Sequence, residues 1–226
     1  MKNDTTSNQI FIGCPWKNVR NKYVKLIESF KKKYPLSFII IGRSQDQKAS
    51  DLLEIIKEKL NSSSAAIFDA TGGNANVSLE YGIAETNEMP RAIYKNQRKR
   101  ISSLGSDSAI ISDLAGKKRN EYKTFRKLRS LLESFTKNHS YSIIYERFLN
   151  RNCKRLAKGK KRRYRALTLK IIHHLDDKDS VRRTDIVQDL VALGYKDSEV
   201  EEWIRKLQKS NLINCSAGRY SSVTIR

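Results

Sequence analysis

Between residues 9 and 94 four short apolar runs alternate with segments of helical spacing, and this alternation restricts the fold more than any other feature of the chain. Gln9 to Ile12 reads as a strand ended by Gly13 and Pro15, Phe38 to Gly42 as a second, Ala65 to Asp69 as a third and Arg91 to Tyr94 as a fourth. Between them, Asn18 to Lys33 sets Val19, Tyr23, Leu26, Ile27 and Phe30 on one helical face. Ser50 and Asp51 can cap a helix through Leu60, and Asn76 can cap another from Val77 to Asn87, stopped before Pro90. Strands apolar throughout need cover on both faces, and strands joined through helices run parallel. The expectation is a doubly wound α/β domain with a mainly parallel sheet.

Residues 95–120 are polar, with a fifth strand expected at Ala109 to Ser112 and a helix from Glu121 to Phe135. Tyr141 to Asn150 reads as further helix. From Tyr164 the grammar changes. A helix to Leu175 carries Leu167, Ile171 and Leu175. A second is capped by Thr184 or Asp185 and closed by Gly194. A third is capped by Ser198, with Val200, Trp203, Ile204 and Leu207 inward. Leu212 to Cys215 and Tyr220 to Ile225 then alternate as a hairpin around Ser216 to Gly218. Three helices and a terminal hairpin imply a small winged helix-turn-helix domain. The expected organisation is therefore an α/β domain over 1–138, a basic helical linker over 139–163 and a winged helix over 164–226.

The chain has 226 residues, with 45 Lys and Arg against 24 Asp and Glu, a formal net charge of +21. Residues 1–90 hold 12 basic and 10 acidic side chains, 91–150 hold 14 and 5, and 151–226 hold 19 and 9. A near-neutral first part ahead of a basic remainder suggests two functions. Eight of the twelve residues from Lys154 to Arg165 are basic and none is acidic, the electrostatic footprint of nucleic-acid binding rather than of a solubilising linker. Asp197, Glu199, Glu201 and Glu202 in the third helix would repel phosphates. The candidate phosphate contacts are therefore Lys154, Arg155, Lys158, Lys160, Lys161, Arg162, Arg163, Arg165, Arg182, Arg183 and Arg219, favouring backbone binding over base reading. No apolar run approaches the length of a membrane span, and Met1 to Asn8 has no apolar core of a signal peptide. Three scattered cysteines and three histidines argue against a disulfide framework and a metal centre, and adjacent His173 and His174 face different ways on a helix. A cytoplasmic location is expected.

The third strand runs into Asp69-Ala-Thr-Gly-Gly-Asn-Ala-Asn-Val-Ser-Leu-Glu80-Tyr-Gly82. Ligands of open α/β sheets bind at the carboxyl ends of strands. Gly72 and Gly73 permit close backbone approach, and a helix entry offers free N–H groups. Two readings stay open on composition alone. Asp69, Thr71, Asn74 and Asn76 are turn and cap residues with Glu80 a solvated acid, or they line a site with Glu80 as its carboxylate. Cys14, at a strand end with no histidine nearby, reads as packing rather than nucleophile.

Residues 10–135 resemble the nucleoside 2-deoxyribosyltransferase-like family, relatives of the TIR-like nucleotide hydrolases. The resemblance rests on Ile10-Phe-Ile-Gly-Cys-Pro-Trp16, on Gly42-Arg43 with Asp46, on Asp69-x-Thr-x-x-Asn-x-Asn-Val-x-x-Glu80-x-Gly, and on Ser112-Asp-Leu-x-Gly116 followed by Tyr122. It implies a flavodoxin-like sheet of the deoxyribosyltransferase type. It also implies Glu80 as nucleophile or stabiliser at the anomeric carbon, joined by Asp69, with Gly13, Pro15, Arg43, Asp46, Thr71, Asn74 and Asn76 around the substrate. Such a carboxylate suits cleavage of a C1′–N bond, which builds oxocarbenium character. The chain departs from the family at Asn74, where transferases carry an acid six residues before the nucleophile. That shifts the expectation from base exchange towards hydrolysis of NAD or another nucleotide. The order of domains resembles effectors of certain retrons, bacterial antiviral systems, which implies a reverse transcriptase and RNA-linked DNA as partners.

The expected function is thus an N-glycosidase or ribosyltransferase-like hydrolase coupled to a nucleic-acid-binding winged helix. No cofactor is expected beyond a nucleotide or NAD as substrate, and homo-oligomerisation is left open. The alternative is a winged-helix regulator whose α/β domain senses a nucleotide without turning it over.

Overall fold

The computed structural model describes residues 7–16, 19–41, 49–72, 74–97, 119–176, 178, 180–216 and 221–225. Arg43, Asp46, Arg219, the strand expected at Ala109 to Ser112 and the Ser112 to Gly116 motif lie outside the described residues. Chain contacts define two units. A sheet unit comprises Gln9–Ser29 and Phe38–Phe135, and a helical unit comprises Thr136–Arg226 with Met1–Asn8 and Phe30–Ser37.

The sheet unit is α/β. Strands β1 (Gln9–Gly13), β2 (Ser37–Ile39), β3 (Ala65–Asp69), β4 (Arg91–Asn96) and β5 (Arg119–Tyr122) form one parallel sheet in the order β2-β1-β3-β4-β5. Helices α1 (Arg20–Lys31), α2 (Ala49–Asn61), α3 (Ala75–Thr86) and α4 (Phe125–Asn138) flank it. Alternation along the strands assigns their faces. Phe11, Ala66, Phe68 and Ile93 pack with Ile56 and Leu60 of α2 and Val77, Tyr81 and Ala84 of α3. On the opposite face Tyr23 of α1 reaches Asp69 of β3, and Tyr94 of β4 donates to the Leu131 carbonyl of α4. Both faces are covered, as strands with no exposed side require. The order reverses between β1 and β3, so the carboxyl ends of these two strands flank the switch point where α/β sheets bind ligands.

Several boundaries differ from expectation: β2 runs over Ser37–Ile39 rather than Phe38 to Gly42, and α2 begins at Ala49, so Ser50 and Asp51 lie within it rather than cap it. The fifth described strand is Arg119–Tyr122, inside what reads as the start of a helix, and the helix begins at Phe125. This is an edge strand, and only Tyr122 is buried in it, so it needs no apolar run. Helix α3 is capped by Asn74 rather than Asn76. The Asn74 side chain accepts from the backbone N–H of Asn76 and Val77, a cap contributing about 1 kcal/mol. The basic segment after residue 139 is helical, as α5 (Ser140–Cys153) and the first turns of α6 (Lys158–His174).

The helical unit continues with β6 (Val181–Arg182), α7 (Arg183–Ala192), α8 (Asp197–Lys209), β7 (Ile213–Cys215) and β8 (Ser222–Ile225). Arg182 and Lys196 precede α7 and α8, so neither Thr184, Asp185 nor Ser198 is the cap residue. The strands form an antiparallel sheet in the order β6-β8-β7, one strand more than the expected hairpin. Its core gathers Leu167, Ile171, Ile186, Leu190, Val200, Ile204, Leu207 and Ile213. Trp203 stacks on Tyr164 at 4.4 Å, meets Phe148 edge-on and donates through its indole N–H to the Thr168 hydroxyl at 2.7 Å. It is a core residue. Among the described residues no helix is long and apolar enough to cross a membrane.

Candidate functional site

Parallel register brings Gly13, Asp69, Tyr94 and Tyr122 to one end of the sheet: Gly13 lies opposite Phe68, Asp69 opposite Tyr94, and Asn96 opposite Tyr122. Asp69 is fully buried. Its Oδ2 accepts from the hydroxyls of Tyr122 at 2.7 Å and Tyr23 at 3.0 Å, and its Oδ1 from the Thr71 N–H at 3.0 Å. Burial raises its pKa above the ordinary carboxylate range, and the hydrogen bonds from Thr71, Tyr122 and Tyr23 oppose that rise. With both oxygens held by fixed donors, Asp69 orients the turn after β3. The Thr71 hydroxyl accepts the Asn96 N–H at 2.8 Å and ties the same turn to the end of β4. Gly72 then adopts φ +76°, a left-handed conformation that favours glycine.

This turn delivers Asn74 and, through α3, Glu80. The Glu80 Oε2 atom is closed off from solvent and has no hydrogen-bond partner among the described residues. Burial pushes its pKa up to about 8. A solvated helix acid has neither property. Gly13 makes room for this carboxyl, because a Cβ there would stand 2.3 Å from Glu80 Oε2 and 2.8 Å from Phe68 Cδ1. The strand residue and the α3 residue that sequence reasoning selected separately are therefore in contact.

Next along the chain, the Cys14 thiol is pushed up to about 12 by burial, then by the charges of Asp69 and Glu80. A thiol so held is neutral and does not act as a nucleophile. Pro15 is half-buried and Asn76 is exposed. Asn74 spends its carbonyl oxygen on the helix cap. Sequence reasoning missed Tyr23 as a site residue, since helical spacing reports a face and not what a hydroxyl meets. The signal available was a tyrosine, rather than phenylalanine, at a buried position. It also missed Arg20 and Trp16. The Arg20 guanidinium lies over the Trp16 ring at 4.5 Å, and Trp16 is 49% exposed.

The candidate phosphate contacts divide into two sets. Arg163 pairs with Glu199 at 2.9 Å and lies over the Tyr195 ring, Arg165 pairs with Glu146 at 2.7 Å, and Arg183 pairs with Glu201. Lys154, Arg155, Lys158, Lys160, Lys161, Arg162 and Arg182 are exposed and form no ion pair among the described residues. All but Arg182 lie at the end of α5 or in the first turns of α6, whose buried residues begin only at Leu167. Three of the four α8 acids are engaged as well, Glu202 with Lys206 besides Glu199 and Glu201. His173 has both ring nitrogens occupied, by Asp176 at 2.7 Å and the Tyr34 carbonyl at 2.9 Å. Among the described residues no three His, Cys, Asp or Glu side chains gather into a metal-binding group.

No protein-family model matches this sequence and no curated protein is similar to it, so its function has to be argued from its own residues.

Proposed function

We propose that the sheet unit cleaves the N-glycosidic bond of a nucleotide or nucleoside, with Glu80 as the carboxylate at the sugar C1′, and that the helical unit holds nucleic acid. The observation that carries the first half is the buried, unpartnered Oε2 of Glu80 against Gly13 at the switch point of the sheet. Such an atom in a native fold calls for a ligand that completes it.

In the reaction the C1′–N bond breaks and its electron pair leaves with the base. Glu80 stabilises the positive charge that develops at C1′, or bonds to it as an ester that water then opens. The water oxygen ends on C1′ and its proton on the base. Only ionised Glu80 can do this, and burial keeps it protonated at neutral pH. A ligand bearing or developing positive charge beside it lowers that pKa, and the proton passes to solvent. Asp69, held by three donors, fixes the turn that sets the register of α3 and is a positioning residue in this scheme.

The test is incubation with NAD and a panel of nucleosides and nucleotides, followed by chromatography for free base. Wild type should release base from at least one of them, and Glu80→Gln should lower the rate by several orders of magnitude. A variant retaining more than roughly a tenth of wild-type turnover would falsify the role of Glu80. Binding without base release by wild type would favour the nucleotide sensor.

We read the part of the helical unit from α6 onward as a winged helix, on α6, α7 and α8 and the β7–β8 pair. Its exposed, unpaired lysines and arginines support binding to the phosphate backbone. If about five of them contact duplex phosphates, log affinity falls against log salt with a slope near −4 to −5. A salt titration against two unrelated duplexes and one single strand checks this. A strong preference for one duplex would mean that bases are read. The pairing of the two units supports a cytoplasmic role in antiviral defence of the retron type, with RNA-linked DNA and a reverse transcriptase as partners.

A further inference from the structure

We propose that Arg20 is the anion-recognising residue of the sheet unit's site, and that the ligand taken there carries phosphate: a nucleotide or dinucleotide rather than a free nucleoside. This rests on the reading that Glu80 meets a sugar C1′, and it supplies the other pole of the same ligand.

Arg20 opens α1. Its guanidinium is stacked on Trp16, whose ring is half exposed. Stacking fixes the plane of the fork and leaves its N–H edges free for an acceptor. The Nε atom is buried and has no acceptor among the described residues. Arg183 also has an unmatched Nε but holds Glu201 through its Nη2, Arg91 bonds Glu85 and the Met89 carbonyl, and Arg163 and Arg165 each hold a carboxylate. A buried donor without a partner is costly, and a charged one more so.

Glu80 offers the matching anomaly on the acceptor side, and the two do not meet: Glu80 Oε2 and Arg20 Nε both lack partners among the described residues. Each is nevertheless tied to the same segment that follows β1. Gly13 abuts Glu80, and Trp16, three residues on, carries Arg20. Three peptide units span at most about 11 Å. The Cys14 thiol between them responds to Glu80 and Arg20 alike, the first raising its pKa and the second lowering it. The site therefore presents a cationic fork and a carboxyl that both act on the Cys14 thiol between them. A phosphate matches the fork bidentately, and a sugar carbon bonded to a base matches the carboxyl. A free nucleoside would fill the second and leave the first unmet.

The experiment is calorimetric titration of the full chain with adenosine and AMP, guanosine and GMP, cytidine and CMP, thymidine and TMP, and NAD. Wild type, Arg20→Met and Trp16→Ala are compared, with circular dichroism to follow folding. At least one monophosphate should bind about tenfold tighter than its nucleoside. Arg20→Met should erase that preference and leave nucleoside affinity within about twofold. Trp16→Ala, which frees the guanidinium plane, should reduce the preference, and it decides the matter if Arg20→Met does not fold. NAD binding more tightly than AMP identifies a dinucleotide, and the reverse a mononucleotide. Equal affinity within every pair, a preference that survives Arg20→Met, or no binding by any probe overturns the proposal. Base release from nucleoside and nucleotide alike, lost in Glu80→Gln and unmoved by Arg20→Met, would keep the catalytic reading and sink Arg20. A phosphate preference lost in Arg20→Met with no base released by wild type would do the opposite.

Discussion

In the sheet unit the charged groups near the strand ends are buried and unpartnered, as with Glu80 Oε2 and Arg20 Nε, or are held by neutral donors, as with Asp69. In the helical unit the arginines that pack against other elements have found carboxylates: Arg163 with Glu199, Arg165 with Glu146 and Arg183 with Glu201. Arg183 leaves its Nε unmatched even so. The difference separates two uses of charge. A buried charge without a partner costs stability and persists where a ligand completes it. A paired arginine stiffens the fold and is withdrawn from any work on phosphates. The +21 net charge therefore overstates what the surface offers nucleic acid, and the small net charge of residues 1–90 hides the most consequential carboxyl in the chain.

The largest stability effect expected from this contrast belongs to Glu80. Its pKa rises from 4.5 to about 8 on folding, so between those values the folded chain holds a proton that the unfolded chain has released. Stability from this group is present below pH 4.5 and is lost as pH rises through about 8. Glu80→Gln, neutral at every pH, should match wild type at low pH and exceed it near pH 9, by at most about 5 kcal/mol. Urea unfolding at both pH values measures it, and a pH-independent difference would refute the burial argument.

Gly13→Ala comes next. The added methyl collides with both the Glu80 carboxyl and the Phe68 ring, and overpacking of this kind costs about 1–3 kcal/mol. Base release should fall along with stability, because Glu80 has to move. Tyr122→Phe should cost about 1–2 kcal/mol by removing one of three donors from buried Asp69. Tyr23→Phe should behave alike, and the double variant should depart from additivity because both hydroxyls serve one oxygen.

The smallest effect tests the paired arginines. Replacing Lys160, Lys161 and Arg162 by serine should flatten the salt slope by up to about 2.7, at about 0.9 per phosphate contact. Replacing Arg163 and Arg165 should change it by less than about 1. Equal changes would mean that the internal ion pairs open on binding.

Much of the sheet was legible because β1, β3 and β4 are interior strands whose two faces are both buried, which writes an apolar run into the sequence. The edge strand β5 writes none. Arg119, Asn120 and Glu121 are polar, and the segment imitates the approach to a helix. Glu80 stood out through a motif, yet its spacing fitted a solvated acid equally well, and only the packing of Gly13 against it separates the two. Asn74 and Asn76 are both competent caps, and backbone geometry chose the earlier one. Arg20 left no trace in the pattern, since its significance lies in an acceptor it lacks. Helical periodicity marked Leu167 to Leu175 and set the helix start at Tyr164, because the exposed basic turns from Lys158, expected only as part of a helical linker, have no apolar face to declare them.

Glu80 is the carboxyl on which the proposed chemistry depends, and its ionisation can be observed without any substrate. Carbon-13 NMR of the glutamate side-chain carboxyls in the full chain without ligand, assigned by the signal lost in Glu80→Gln, gives its midpoint directly. The buried, unpartnered site predicts a titration near 8, far above 4.5, the ordinary value for a glutamate. A midpoint at or below 4.5 would show a solvated acid and contradict the assignment of this site.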